Sequence, residues 1–207
     1  MAAQEVWDLN GRGVVNREQG ASVGTALEND ARLMDRICAR DFQAFEALYR
    51  NYRPRLTRFL INLIHRPHLV EEVYNDTMLA VWTRPGSYRG EARLSTWIFA
   101  IAYRKAMKSL RRIDEPVPDD RLETRAAAEA DPDLPLLHGQ LQAVLFRAIS
   151  ELSPSHRAVV DLVYAHEMGY REIAEILGCP ISTVKTRMFH ARRHLKRRLD
   201  GELTDWL

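Results

Sequence analysis

The 207-residue sequence has little cysteine: Cys38 and Cys179 stand far apart without a pairing pattern, so no disulfide framework is indicated. No apolar run approaches the length of a membrane span, so membrane insertion is not expected. The opening MAAQEVWDLNGRG lacks a basic region followed by an apolar stretch, which argues against a signal peptide and for a cytoplasmic protein. Ten glycines and nine prolines are too few for a low-complexity chain. A Ser-His-Asp order, a glycine-rich phosphate loop and a carboxylate pair in a catalytic setting are all missing, so neither enzymatic activity nor a cofactor is expected. His190 and His194 have a helical spacing that could hold a metal, but Arg192, Arg193 and Lys196 would repel a cation and no third ligand is evident.

Strand-like alternation is scarce, and helical periodicity runs nearly everywhere after residue 30. Residues 1–30 show no sustained period and read as a poorly ordered extension. From Leu33 to Leu110 apolar residues recur at three and four, interrupted by Pro54, which would start or kink a helix, by Pro67, and by the turn signal RPGS at 84–87. Residues 31–112 therefore form one helical unit. Residues 113–135 differ sharply: eight acidic residues face only Arg121 and Arg125, and four prolines accompany few large apolar residues. That composition suits an extended acidic tether. Helical pattern returns over 136–207. The expected fold is all-α: two small helical domains joined by a flexible acidic linker.

Charge is segregated within these units. Between Ile181 and Leu199 lie seven Lys and Arg and not one Asp or Glu. A solvated surface helix usually mixes signs, because like charges one turn apart repel. A one-signed face points to a partner that supplies the negative charge. Just upstream, Tyr170–Leu177 reads as a short helix, with Gly178 as a positive-φ corner and Cys179-Pro180 opening the next helix. Ala174, Gly178 and Val184 have the spacing of a helix-turn-helix over 170–189. Ser182 or Thr183 would cap its second helix. Lys185, Thr186, Arg187, Phe189, His190 and Arg192 lie along that helix, mostly outward, from the end that enters a major groove.

From Arg84 to Arg112 a second basic stretch holds eight cations against Glu91 alone, with Tyr88, Trp97, Phe99 and Tyr103 interleaved. Cations beside aromatic rings suit single-stranded nucleic acid, since phosphates are neutralised while unstacked bases find ring faces. Trp97 and Phe99 read more readily as core, and Tyr88, in the loop with Gly86 and Gly90, is the better base contact. Before it, Glu71, Glu72, Asn75 and Asp76 form an acidic stripe opposite Val73, Met78 and Val81. Such a stripe cannot be for DNA, and by itself it reads as a solvated face.

These three segments resemble parts of bacterial sigma factors. VEEVYNDTMLAVW looks like their polymerase-clamp-binding helix, and SYRGEARLSTWIFAIAYRKAMKSLRR resembles their promoter-melting and minus-ten-reading segment. The stretch from Glu151 to Leu199 is similar to their minus-thirty-five-reading domain. The small size and the two modules joined by a linker resemble the extracytoplasmic-function group. The likeness covers about residues 38–112 and 140–199.

The resemblance implies a chain that binds core RNA polymerase, through the β′ clamp and β flap, and promoter DNA, with an anti-sigma factor as a further partner. Glu71, Glu72, Asn75 and Asp76 become the core-binding residues. Tyr88, Arg89, Arg93, Trp97, Arg104, Lys108, Arg111 and Arg112 become the minus-ten set, and Ser182, Thr183, Lys185, Thr186, Arg187, Phe189, His190 and Arg192 the minus-thirty-five set. The acidic linker would thread toward the RNA path or act as a plain spacer. Departures from the pattern are Arg104 where an Asn-containing segment is usual, Ala100 and Ile101 where the housekeeping factor has tandem tryptophans, and His190 where Arg is frequent. The rival reading is a helix-turn-helix regulator without stable polymerase association, which would leave the acidic stripe and the aromatic-basic segment without roles.

Overall fold

The computed structural model describes residues 17–114 and 144–204, with side chains over 28–112 and 144–200. Among the described residues every regular element is helical. The order is α1 (Arg17–Cys38), α2 (Phe42–Ile64), α3 (Pro67–Thr83), a 3₁₀ turn at Pro85–Ser87, and α4 (Leu94–Asp114). Then follow α5 (144–150), α6 (Pro154–Tyr164), α7 (Tyr170–Leu177) and α8 (Ile181–Thr204). Residues 115–143, which hold the rest of the acidic tether and the start of the second unit, lie outside the described residues.

Helix ends follow local chemistry. Asp41 caps α2, its carboxylate accepting from the Ala44 N–H at 3.1 Å. That bond and the Arg36 guanidinium hold the Asp41 carboxyl below the ordinary carboxylate range. His65 ends α2 in the left-handed conformation, and Pro67 then opens α3 at its first turn. Pro54, expected to start or kink a helix, lies inside α2. Its ring is exposed, so the backbone acceptor it leaves without an N–H partner is on the solvent side.

Two boundaries differ from the sequence expectation. α1 begins at Arg17, well inside the stretch read as an ill-ordered extension, and buries Met34 and Ile37 at its far end. Helix α4 continues to Asp114, two residues into the expected tether.

The larger difference lies in the core. Leu48, Leu56, Phe59 and Leu63 of α2, Val73, Met78 and Val81 of α3, and Ile98, Phe99 and Ala102 of α4 form the expected first core. That core continues without a break into Ala158, Val159 and Leu162 of α6, Ile173 and Ile176 of α7, and Val184 and Met188 of α8. The two helical units therefore share one interior, with α6 packed on α2 and α7 on α4. The reason is legible in α4, which buries Thr96, Ala100 and Tyr103 as well as Ile98, Phe99, Ala102 and Ala106. A helix apolar on more than one face needs more than one neighbour.

Polar contacts close the same seam. Asn62 donates to Asp161 Oδ1 at 2.6 Å, and the Thr96 hydroxyl donates to Glu172 Oε1 at 3.2 Å. Arg157 sends its guanidinium to the carbonyls of Asn62 and Leu63 in α2, and to those of Ile149, Ser150 and Leu152 beside its own helix.

Candidate functional site

Three surfaces carry the residues singled out by sequence. The first is the outer face of α3, where Glu71, Glu72, Asn75 and Asp76 are all exposed while Val70, Val73, Tyr74 and Thr77 point inward. Neighbouring helices hold the stripe in place: Arg53 meets Glu71 at 3.2 Å, the Tyr49 hydroxyl donates to Asn75 Oδ1 at 3.2 Å, and Lys105 meets Asp76 at 3.2 Å. These exposed pairs contribute little stability. Their effect is to orient side chains on a rigid helix. Leu79, 57 % exposed and one turn beyond Asn75 and Asp76, extends the stripe with an apolar side chain that the sequence reading did not single out. Its position on the stripe side at i+3 and i+4 was the available signal. Phe42, also exposed, packs edge-on to Trp82 at the end of the same helix.

The second surface is the loop between α3 and α4 with the basic side of α4. Arg89, Arg93, Arg104, Lys108, Arg111 and Arg112 are exposed, as expected of phosphate contacts. Gly90 takes φ +72°, which lets the chain double back through the loop. Tyr88 lies in that loop, half-buried. Its hydroxyl donates to the Ala92 carbonyl at 2.8 Å and its ring lies 5.5 Å from the half-buried Trp97. Burial pushes its phenol above the ordinary range. Tyr88 is thus a wall of the loop, and the exposed cations line its outside. Phe99 is wholly buried, as read from sequence.

The third surface is α8. Gly178 adopts the left-handed conformation at φ 61°, and the Cys179 N–H returns to the Ala174 carbonyl at 3.0 Å, closing the corner. Val184, Met188 and Ala191 point inward, while Lys185, Thr186, Phe189, His190 and Arg192 are exposed. Phe189 is 62 % exposed, which is unusual for so large an apolar side chain. Ser182 and Thr183 do not cap the helix. The first N–H groups, of Thr183 and Val184, bond to the Pro180 carbonyl, and the Ser182 carbonyl accepts from the Thr186 hydroxyl. Both therefore sit in the first turn, Ser182 exposed and Thr183 half-buried.

Arg187 is half-buried and reaches Cys179 Sγ at 3.7 Å. Arg192 rests on Tyr164, Nε to hydroxyl at 3.1 Å and guanidinium 5.8 Å from the ring centre. The His190 ring is 6.4 Å from that of His156, whose pKa is lowered by burial first, then by Arg187 and His190. His194 instead lies 3.3 Å from Glu151, and Arg198 joins the same carboxylate. His190 and His194 therefore serve different neighbours.

The segments that carry the acidic helix face, the cationic loop and helix, and the helix-turn-helix fall within regions matched by known proteins. The model for Sigma-70 region 2 covers residues 48–115, and that for Sigma-70 region 4 covers 142–195. The chain belongs to the sigma-70 family, in its extracytoplasmic-function group. It is 29 % identical to the sigma factor RpoE of Cereibacter sphaeroides, over 77 % of this chain and 88 % of that protein. It is 24 % identical to the sigma-H factor of Pseudomonas aeruginosa, over 86 % of this chain and 97 % of that protein. Among solved structures, the sigma factor RpoE of Bartonella quintana, in complex with the anti-sigma factor NepR, is 25 % identical with a TM-score of 0.57, over 78 % of this chain and 98 % of that chain.

Helix α1 lies ahead of both matched regions of this sigma factor, yet it touches the second surface. The Leu94 N–H at the start of α4 donates to Asp30 Oδ2 at 2.9 Å. Sequence reading had no signal for that bond, because the partners are 64 residues apart.

Proposed function

We propose that this sigma factor carries core RNA polymerase to its promoters with the three surfaces in separate roles, in the cytoplasm and without a reaction of its own. The α3 stripe of Glu71, Glu72, Asn75 and Asp76, with Leu79, docks on the polymerase clamp. The loop 85–93 and the basic side of α4 take the melted minus-ten strand. The exposed face of α8 reads the minus-thirty-five duplex. The observation that carries this reading is the one-signed recognition helix set behind a tight corner, on the same chain as an acidic helix face.

The packed arrangement supports a second step. Minus-ten and minus-thirty-five elements are roughly 25 base pairs apart, or about 85 Å of duplex at 3.4 Å per step. Packed helices such as α4 and α7 lie about 10 Å apart. One packed molecule cannot serve both elements, so the domains must separate on the polymerase. Residues 115–143 can reach about 95 Å at full extension, enough to allow it. A protein that holds the domains together would keep the factor from promoters. The complex of the Bartonella quintana relative with an anti-sigma factor supports such a partner here.

Reconstitution with purified core polymerase and run-off transcription from genomic fragments tests the proposal. The wild type should co-purify with core and give discrete transcripts. Glu72→Lys with Asp76→Lys should weaken core binding by tenfold or more, since reversed charge at a docking face costs several kcal/mol. Absence of any association with core would end this reading; duplex binding without polymerase would favour the repressor-like alternative.

A further inference from the structure

Helix α4 begins at Leu94, and the residue before it, Arg93, has no side-chain acceptor for the first free N–H groups. A helix start without an acceptor is weak, and buried unpaired N–H groups are costly. The missing acceptor comes from another helix: Asp30 of α1 accepts from the Leu94 N–H at 2.9 Å. Leu94 itself is fully buried, so solvent does not replace this bond. A carboxylate at this end also suits the helix dipole.

Asp30 stands beside the loop as well as the helix. Its charge acts on both Tyr88 and Tyr52, raising their phenols further after burial has raised them. Tyr88 ties the loop back on itself through the Ala92 carbonyl and packs on Trp97. Helix α1 packs directly against the 3₁₀ turn Pro85–Ser87 that opens the loop. Helix α1 thus meets both ends of the segment between α3 and α4: the turn by packing and the α4 side through the hydrogen bond of Asp30. The segment between them carries Arg89 and Arg93, and Gly90 turns the chain there at positive φ.

We propose that Asp30 is a positioning residue for minus-ten reading, fixing the loop 85–93 against the start of α4 so that an extruded base meets one preset pocket. This rests on the assignment of that loop to the minus-ten strand. A base gains from a preformed pocket because flipping it out already costs a few kcal/mol. With the loop loose, all four bases meet averaged surroundings, so discrimination falls more than overall binding does. Helix α1 then belongs to the promoter-reading apparatus although it precedes the matched regions.

The test uses holoenzyme reconstituted with the full chain. Open-complex formation is measured on a promoter set varied singly at each minus-ten and minus-thirty-five position. Asp30→Ala should flatten the preference at one or two minus-ten positions by about fivefold, the equivalent of one lost cap. Core affinity and the minus-thirty-five profile should not change. Asp30→Asn should restore the profile, because an amide oxygen caps as well as a carboxylate.

A uniform loss at all promoter positions, or an unchanged minus-ten profile, overturns the proposal. If Asp30→Ala fails to form holoenzyme, Asp30→Glu decides. It keeps the charge but displaces the acceptor, so the minus-ten profile should shift, and an unshifted profile overturns the assignment. Arg89→Ala with Arg93→Ala serves as the control. If that pair also leaves the minus-ten profile intact, the loop itself has been misassigned, and the fault lies there and not at Asp30.

Discussion

Asn62 of α2 donates its side-chain amide to Asp161 of α6 at 2.6 Å, joining residues 99 apart in the sequence and the two helical domains of the sigma factor. Asp161 is buried, and its other oxygen lies 3.3 Å from Nε2 of the buried His166 side chain. Neither of those two atoms makes a hydrogen bond among the described residues. The His166 ring in turn stands edge-on to Phe59 and Phe99, at 6.1 and 4.9 Å. The carboxylate therefore depends on Asn62 while the domains stay packed, and regains water once they part.

Asn62→Leu should for that reason favour separation. Removing the donor from a buried acceptor costs about 1–3 kcal/mol, and only the packed state bears the cost. Small-angle scattering of the free variant should give a larger radius of gyration, and the urea midpoint should fall. An unchanged scattering curve would mean that the apolar contacts alone hold the domains.

Arg157 makes a stronger claim on the same seam. It is buried, burial lowers its pKa, and it bonds five carbonyls, those of Asn62 and Leu63 in one domain and Ile149, Ser150 and Leu152 in the other. A planar guanidinium carries five N–H donors in a fixed fork and can serve all five acceptors, where an ammonium has three donors. Arg157→Met should destabilise by about 3 kcal/mol or more, since each bond to a charged donor contributes and the carbonyls are left bare. Arg157→Lys should recover less than half. Thermal melting of the free proteins reads both. A shift below about 3 °C for the Met variant would contradict the role, because a chain of this size loses about 2–4 °C per kcal/mol.

How much of this was written in the sequence can be judged residue by residue. Within each helix, periodicity found the buried faces: Val184, Met188 and Ala191 of α8 and Val73, Met78 and Val81 of α3 are inside. Gly178 and Pro67 marked a corner and a start because backbone chemistry leaves few other options there. What periodicity cannot give is the partner of a second buried face. Tyr103 read as one of the aromatics interleaved with the cations of a nucleic-acid surface, and it is buried, as is Thr96, whose hydroxyl donates to Glu172 of α7. Arg157, beside His156 and the serines of SPSHRAVV, carried no mark of burial, because its acceptors are backbone carbonyls invisible to residue type. Asp30 lay in a stretch without a clear period, and its bond to Leu94 is a contact that only the folded chain creates.

The histidines set the expected pH dependence. Burial holds His65 and His156 below the ordinary imidazole pKa, with Arg157 adding to the first and Arg187 and His190 to the second. Both groups bind protons less readily folded than unfolded, so the unfolded chain is favoured as pH falls. Their contribution is intact above about pH 6.5, the unfolded value, and is lost as pH drops through the lower folded values. Urea midpoints measured from pH 7.5 to 5 should therefore decline. His65→Gln with His156→Gln should flatten that decline; an equally steep profile in the double variant would place its source elsewhere.

The recognition helix offers the last prediction, and the one that separates its two kinds of contact. Lys185 and Phe189 are both exposed on the face of α8 that leads from the corner, but they differ in what they can offer DNA. A cation that neutralises a phosphate releases a counterion, so Lys185→Ala should weaken holoenzyme binding and lower the salt slope by about one. An apolar ring releases none. If it packs on a thymine methyl, Phe189→Ala should cost about 1–3 kcal/mol at one position and leave the salt slope alone. Arg192 stands between these cases, because its guanidinium already rests on Tyr164 at 3.1 Å and must leave or share that contact to reach DNA. Tyr164→Phe keeps the ring beneath the guanidinium and removes only the hydroxyl. It should therefore free Arg192 and tighten minus-thirty-five binding slightly, and with Arg192→Ala in the background that gain should vanish. Titrations of the wild type, the four single variants and the Tyr164→Phe with Arg192→Ala double variant on one labelled minus-thirty-five promoter, at three salt concentrations, distinguish these outcomes. Equal slopes for the wild type and Lys185→Ala would remove Lys185 from the phosphate contacts.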